Sequence, residues 1–314
     1  NIITRAIATT DIVSHPQDYF NQHQNPLIIS FARSGNSPES RAAIELADQF
    51  SAKCFHLIIT CDENGALAQG NSSIPFYVFV LPEAANDKSL AMTGSYSGML
   101  LTGLMIAYIQ HKQKIKEQVN LLTHAAENIF SYYASMLQKI SEKDFKRAFF
   151  IGSGNLFGTA TEAALKLQEL TDGKIVCKAD TYLGLRHGPK AVIDESTLVV
   201  YFLSSDDYVK QYEQDLINAM KNGNSTMFQL GISERSAAMN SLDTQVNFGI
   251  DHQNILEDFL PVCAIVAGQL LGFYKSIQLG LKPDAPSVNG SISRVVQGVT
   301  IYPFKKEKTL VEGN

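Results

Sequence analysis

Apolar residues fall into short β-rich runs separated by longer stretches of helical period. In the first half the runs are Ile3–Ala8, Leu27–Phe31, Phe55–Thr60 and Phe76–Val80, followed by a long apolar helix over about Tyr96–Gln110. In the second half they are Ala148–Gly152, Ile175–Lys178, Leu198–Leu203, Met227–Gly231 and Gln245–Gly249. A second long apolar helix starts near Ile255. Its most apolar part, Phe259 to Leu281, is broken by Gln269, Tyr274, Lys275 and Gln278. No run reaches the roughly 18 apolar residues of a membrane span, so this segment is expected to be a buried helix.

The spacing repeats. Phe31 to Ile59 and Phe202 to Leu230 are both 28 residues apart, and an offset of about 171 residues aligns four strands and a helix of the two halves. The gaps are long enough for the crossovers that parallel strands require. The pattern predicts an α/β protein of two doubly wound parallel-sheet domains in tandem, each a three-layer α/β/α stack. The expected boundaries are 1–143 and 144–314, with a linking helix over 115–140. The second half opens on a strand and glycine loop, Phe149 to Gly154, whose counterpart falls before residue 1. The first domain is therefore expected to lack its opening β-α unit.

At 314 residues with 45% hydrophobic and 18% charged, the chain has an ordinary globular composition. A net charge of −5 argues against a broad nucleic-acid surface, which needs a basic excess. The N-terminus shows no basic-then-apolar signal pattern. The four cysteines, Cys54, Cys61, Cys177 and Cys263, form no CxxC pair. They are expected to be reduced, structural residues of a cytoplasmic protein, and no metal centre or cofactor is expected.

Four motifs could carry chemistry. Ser30 to Ser40 follows an apolar strand and precedes a helix over Arg41–Phe50. Its hydroxyls and free N–H groups suit an anion, with Arg33 adding charge, or they form an ordinary helix cap at Ser37-Pro38. Gly152-Ser153-Gly154 opens the helix over Gly158–Leu170. Such a loop is often only a tight turn, and Asp172 is poorly placed as a ribose partner for a nucleotide. Glu169 sits near that helix's C-terminus, three residues after Lys166. A carboxylate there is electrostatically unfavourable, yet most such glutamates are simply solvated. Arg186-His187-Gly188-Pro189-Lys190 places a histidine on a constrained turn at a strand end, where open α/β sheets hold ligands.

In their order along nearly the whole chain, these motifs resemble the SIS (sugar isomerase) family. Ser30–Ser40, Gly184–Lys190 and the stretch from Asn289-Gly290 through Arg294 and Gln297 to Val299 are similar to its AgaS branch. That branch groups tagatose-6-phosphate ketose/aldose isomerases linked to galactosamine-6-phosphate deamination. The resemblance implies that Arg33, Ser34, Gly35 and Ser37 form a phosphate loop, with Thr93 and Ser95 in a second phosphate-facing stretch. It implies that Glu169 shuttles a proton between C1 and C2. His187 is implied to open the sugar ring, reaching the pocket from a neighbouring subunit of a homodimer or higher homo-oligomer. Gly152, Ser153, Arg186 and Arg294 are further pocket candidates.

One departure matters. Glucosamine-6-phosphate synthases carry a Schiff-base lysine near the C-terminal lid, where this chain has Arg294 and Gln297. An arginine stays charged and forms no imine, and no glutaminase domain lies within these residues. Conversion of an amino-hexose 6-phosphate to a ketohexose 6-phosphate with ammonia release is therefore expected. Plain aldose–ketose isomerisation stays open, as does a non-catalytic sugar-phosphate sensor. The partner expected is a phosphorylated hexose or hexosamine, with neither nucleic acid nor membrane.

Overall fold

A computed structural model describes residues 3–70, 75–223, 226–236, 240–250, 252–290, 292–294 and 298–304. Chain contacts divide the molecule into two units, Asn1–Asn86 with Val295–Asn314, and Asp87–Arg294.

The first unit holds a three-stranded parallel sheet in the order β1-β2-β3: β1 Leu27–Ala32, β2 Phe55–Thr60 and β3 Phe76–Val80. Register runs from Leu27 opposite Phe55 to Ala32 opposite Thr60. Helix α1 (Thr9–Ser14) precedes the sheet, α2 (Pro38–Phe50) connects β1 to β2, and the single turn α3 (Ala66–Gln69) precedes β3. One buried cluster is Ile12, Phe20, Ala43, Leu46, Ala47, Phe50 and Cys54, and Ala42, Ile58, Ile59, Cys61, Leu67 and Leu81 are buried besides. The expected strand Ile3–Ala8 is not formed; it is irregular chain, and Ile3 is 86% exposed. Its β-prone residues find no neighbouring strand, and a β run without a ladder partner has no stabilisation of its own.

The second unit holds a five-stranded parallel sheet in the order β5-β4-β6-β7-β8. The strands are β4 Arg147–Ile151, β5 Val176–Asp180, β6 Thr197–Phe202, β7 Phe228–Ser233 and β8 Thr244–Asn247. Counted within the unit this is the doubly wound order 2-1-3-4-5, which opens a crevice at the carboxyl ends of the first and third strands. All six residues of β6 are buried, as a central strand covered on both faces must be. Alternation along β4 and β6 serves two cores. Ala148, Phe150, Leu198, Val200 and Phe202 face one; Phe149, Ile151, Val199, Tyr201 and Leu203 face the other.

Among the described residues seven helices accompany this sheet: α4 Gly94–Ala107, α5 Lys112–Asn128, α6 Ala134–Ser141, α7 Asn155–Leu170, α8 Tyr182–Arg186, α9 Asp207–Gly223 and α10 Leu260–Gln278. Between α5 and α6 lies a π-helical turn, Ile129–Tyr133, so the run expected over 115–140 is continuous helix with one widened turn. Glu257–Gln278 is long and apolar enough to cross a membrane by length and composition, but 67% of its most apolar window is buried inside the structure. It packs on α7 through glycines: a Cβ at Gly268 would lie 2.7 Å from Ala163 Cβ, and one at Gly272 would lie 2.8 Å from Leu170 Cδ1. This close approach fixes the helix that carries Glu169.

Candidate active site

In the first unit the loop after β1 is built around its own backbone. Gly35 has φ +65°, and a Cβ there would lie 3.2 Å from Leu67 Cβ. Leu67 N–H donates to the Gly35 carbonyl at 3.1 Å, and Ala66 N–H donates to Asn36 Oδ1 at 2.9 Å. Gly65 is required beneath the loop, because a Cβ there would meet the Ser34 carbonyl at 2.1 Å. Ser37 is the N-cap of α2, with Pro38 at the first turn, yet its hydroxyl makes no capping bond. Among the described residues, the N–H groups of Gly35 and Ser37 also lack an intrachain acceptor. Ser34 Oγ accepts from Asn36 N–H at 3.3 Å. Arg33 is only 7% exposed, and its carbonyl accepts from Cys61 N–H and from Thr60 Oγ1. Unspent donors at the start of a 13-residue helix are what an anion site needs.

In the second unit, α7 carries a charged cluster. Lys166 is 2% exposed, with Nζ 2.6 Å from Glu169 Oε2 and 3.4 Å from Glu162 Oε1. Burial raises the Glu162 carboxyl to about 7, against the lowering influence of Lys166, and Glu169 adds to the rise. Burial and then the Glu162 charge push the Tyr96 phenol up. Glu169 is thus not a solvated helix-end residue; its side chain is 26% exposed and held by a buried ammonium. Glu162 was not singled out from the sequence, although residues 162, 166 and 169 share one helical face.

Thr93 and Ser95, expected to face phosphate, are committed elsewhere. The Asp87 carboxylate accepts from Thr93 N–H and Oγ1, from Gly94 N–H and from Ser95 N–H and Oγ, at 2.5 to 3.0 Å. Burial alone would raise the Asp87 pKa, but these bonds from Ser95 and Thr93 outweigh it and hold it below the usual carboxylate range. Ser95 is fully buried. The chain's own carboxylate thus caps the start of α4, and both hydroxyls donate to it. Arg294 Nη2 donates to the Asp87 carbonyl at 2.5 Å, tying the lid stretch to the same cap. Gln297 lies outside the described residues.

The loop after β4 is tight. A Cβ at Gly152 would meet the Leu156 carbonyl at 2.3 Å, and Gly154 caps α7 with φ +56°. Ser153 precedes that cap, its carbonyl accepting from Leu156 N–H. His187 does not follow a strand directly: the one-turn helix α8 intervenes, capped by Thr181 Oγ1 on Gly184 N–H at 3.0 Å. His187 ends that helix, Gly188 has φ +135°, and Pro189 starts a 3₁₀ turn. Arg186 and His187 are both exposed, and neither pairs with Glu169.

A cleft of about 940 Å³ opens at the carboxyl ends of β6 and β7, lined by Ser204, Ser205, Lys210, Glu234, Arg235 and Glu257 among others. By the 171-residue offset, Ser204 and Ser205 correspond to Arg33 and Ser34. Here, however, the donors are spent on carboxylates. Ser204 N–H donates to Glu213 and its hydroxyl to Glu257; Ser205 N–H donates to Glu257 and its hydroxyl to Glu234. With these donors spent on three glutamates, this loop offers an anion less than the Arg33–Ser37 loop does.

All four cysteines are free. Burial, then the Asp48 charge, pushes the Cys54 thiol up to about 11, and burial pushes Cys263 up to about 12, so neither is a ready nucleophile.

Residues 139–248 match the SIS domain model. A D-galactosamine-6-phosphate deaminase AgaS from Shewanella sp. is 41% identical over 96% of this chain and 74% of its own length. The crystal structure of an Escherichia coli tagatose-6-phosphate ketose/aldose isomerase is 34% identical, with a TM-score of 0.83 over 95% of this chain and 78% of that one. A Clostridium novyi NT crystal structure named for the same reaction is 40% identical, with a TM-score of 0.92 over 95% of this chain and 77% of that one. The chain belongs to the AgaS branch of the SIS-domain proteins.

Proposed function

We propose that this protein converts galactosamine 6-phosphate and water to tagatose 6-phosphate and ammonia. The carrying observation is the Glu162–Lys166–Glu169 cluster on α7, which gives Glu169 a fixed, partly sheltered carboxylate. The names of the similar AgaS deaminase and tagatose-6-phosphate isomerase supply the substrate class.

In this reading the Arg33–Ser37 loop receives the 6-phosphate through helix N–H groups and hydroxyls. His187 moves the ring-opening proton. Glu169 takes the C2 proton of the open amino-aldose and delivers it to C1. The resulting enamine becomes a ketimine; water adds to C2, the C–N bond breaks and ammonia leaves. Lys166, paired with two carboxylates, orients Glu169 and is not the imine-forming group. The exposure of His187 suits a residue that serves a neighbouring subunit, and we propose a homodimer of tandem SIS domains spanning 1–143 and 144–314 in the cytoplasm. Were C2 to carry a hydroxyl, the same proton shuttle would yield plain aldose–ketose isomerisation.

The test is incubation with galactosamine 6-phosphate and, separately, glucosamine 6-phosphate, following free ammonia and ketose phosphate. Equimolar ammonia and tagatose 6-phosphate are expected from the first. Binding without either product would mark a sensor, and ketose formation only from a C2-hydroxy aldose phosphate would mark an isomerase.

A further inference from the structure

The helix that carries Glu169 ends on an aspartate where a glycine is usual. Asp172 N–H donates to the Glu169 carbonyl at 3.1 Å, and Gly173 N–H donates to the Gln168 carbonyl at 3.0 Å. Such crossed bonds close a helix through a residue in the left-handed region, most often glycine and sometimes asparagine. The chain places Asp172 there, with φ +51°. That choice has two costs. A Cβ disfavours left-handed backbone, and a carboxylate at a helix C-terminus faces the negative end of the dipole.

The carboxylate has a partner that offsets them. Asp172 Oδ2 accepts from Val288 N–H at 3.2 Å. Val288 lies in the irregular strap that follows α10, within the same unit. On either side of Val288 the strap is tied to the start of α4: Leu90 N–H donates to the Asp284 carbonyl at 3.0 Å, and Arg294 donates to the Asp87 carbonyl. Packing holds the middle only weakly, since Pro286 is buried but Val288 is 74% exposed, and Asn289 and Gly290 are exposed too. The middle of the strap therefore leans on a hydrogen bond to a residue one turn beyond Glu169. A residue held in a sparsely populated conformation, with a defined contact to show for it, points to a functional constraint.

We propose that Asp172 is a positioning residue that clips the strap, through Val288, to the Glu169 end of α7. The inference rests on the proposed reaction, in which Glu169 works on a bound sugar phosphate. Clipped there, the strap walls the sugar site beside the partly sheltered Glu169 carboxylate and holds Arg294 in register with it. Released, it leaves that end of α7 open to solvent. Asp172 itself touches no substrate. A loosened wall weakens binding of the ground state and the transition state alike, which raises KM and leaves kcat in place.

Two variants separate the clip from the turn. Asp172→Gly removes the clip while giving the turn its favoured residue, and Asp172→Asn keeps an acceptor oxygen and suits left-handed backbone. Hydrogen–deuterium exchange of the full chain, read at the Val288 amide, needs no substrate. Exchange should be about tenfold faster or more in Asp172→Gly and close to parental in Asp172→Asn. Tm should not fall in Asp172→Gly, so a general loss of stability is not the cause. KM for galactosamine 6-phosphate should rise about tenfold in Asp172→Gly with kcat within about twofold, and Asp172→Asn should restore it. Parental Val288 exchange in Asp172→Gly overturns the clip, and faster exchange with parental KM overturns the positioning role. If the parent forms neither ammonia nor ketose phosphate, the reading of the reaction fails by itself. The weakening is then sought in the sugar-phosphate Kd, and its absence overturns the positioning role.

Discussion

Lys166 donates to Glu169 across 2.6 Å, one turn apart on α7, and the same ammonium lies 3.4 Å from Glu162. Glu169 is the nearer partner of that ammonium, and the carboxyl that burial raises, to about 7, is Glu162. Glu169→Gln keeps an oxygen for Lys166 but cannot take a proton. It should lower kcat on the order of a hundredfold or more with KM little changed. Exchange of the C2 hydrogen of the sugar phosphate with deuterium in solvent reads the step directly, whichever product follows. Exchange at the parental rate would put the base elsewhere.

The Asp87 carboxylate, with five donors at the start of α4, is a stability element. Asp87→Ala should cost about 1–2 kcal/mol, and Asp87→Asn less, because the amide retains one acceptor oxygen. The folded pKa is depressed, so this contribution is present above the unfolded value near 3.8 and is lost as pH falls through the folded one. Urea unfolding of parent and Asp87→Ala should therefore differ at neutral pH and converge in acid. A constant difference across that range would contradict the capping role.

Glu213 acts with the opposite sign. Fully buried on α9 under Ser204, it is raised to about 7 from 4.5, with burial the main cause. A carboxyl raised on folding binds its proton more tightly in the native state. Its contribution is therefore complete below about 4.5 and is lost as pH rises through about 7. Glu213→Gln keeps an acceptor for Ser204 N–H and removes the titration. The variant's unfolding free energy should fall less than the parent's between pH 4.5 and 7, by on the order of 1–3 kcal/mol. Identical slopes would remove Glu213 from the account.

What the chain reveals before folding follows from which forces are local. Phe55–Thr60 and Phe76–Val80 are strands over the expected residues because apolar runs of that length, bounded by turn residues, declare themselves. Ile3–Ala8 has the same local character and is not a strand, since its fate rests on a neighbour that sequence does not display. Thr93 and Ser95 drew notice only through the family resemblance, as a second phosphate-facing stretch. That Asp87, six residues upstream of Thr93, would accept from both was not legible, because the intervening loop sets the geometry. Glu162 was within reach: the i, i+4, i+7 spacing with Lys166 and Glu169 shows on a helical wheel once α7 is assigned.

Ser34 and Ser37 are where an ordinary helix start and a phosphate site make different demands. A capping serine spends its hydroxyl on the helix, and its loss costs about 1 kcal/mol of stability with no effect on ligand. Ser37 makes no such bond, and the neighbouring N–H groups of Gly35 and Ser37 have no intrachain acceptor among the described residues. The double variant Ser34→Ala, Ser37→Ala should then leave Tm nearly unchanged. Its sugar-phosphate affinity should fall about ten- to a hundredfold, since each tenfold corresponds to about 1.4 kcal/mol and hydrogen bonds to a charged oxygen are worth about that much. Calorimetric titration with galactosamine 6-phosphate and with inorganic phosphate separates the anion from the sugar. Both should weaken together if the loop holds the phosphoryl group, and parental affinity for both would leave the loop a simple turn into α2.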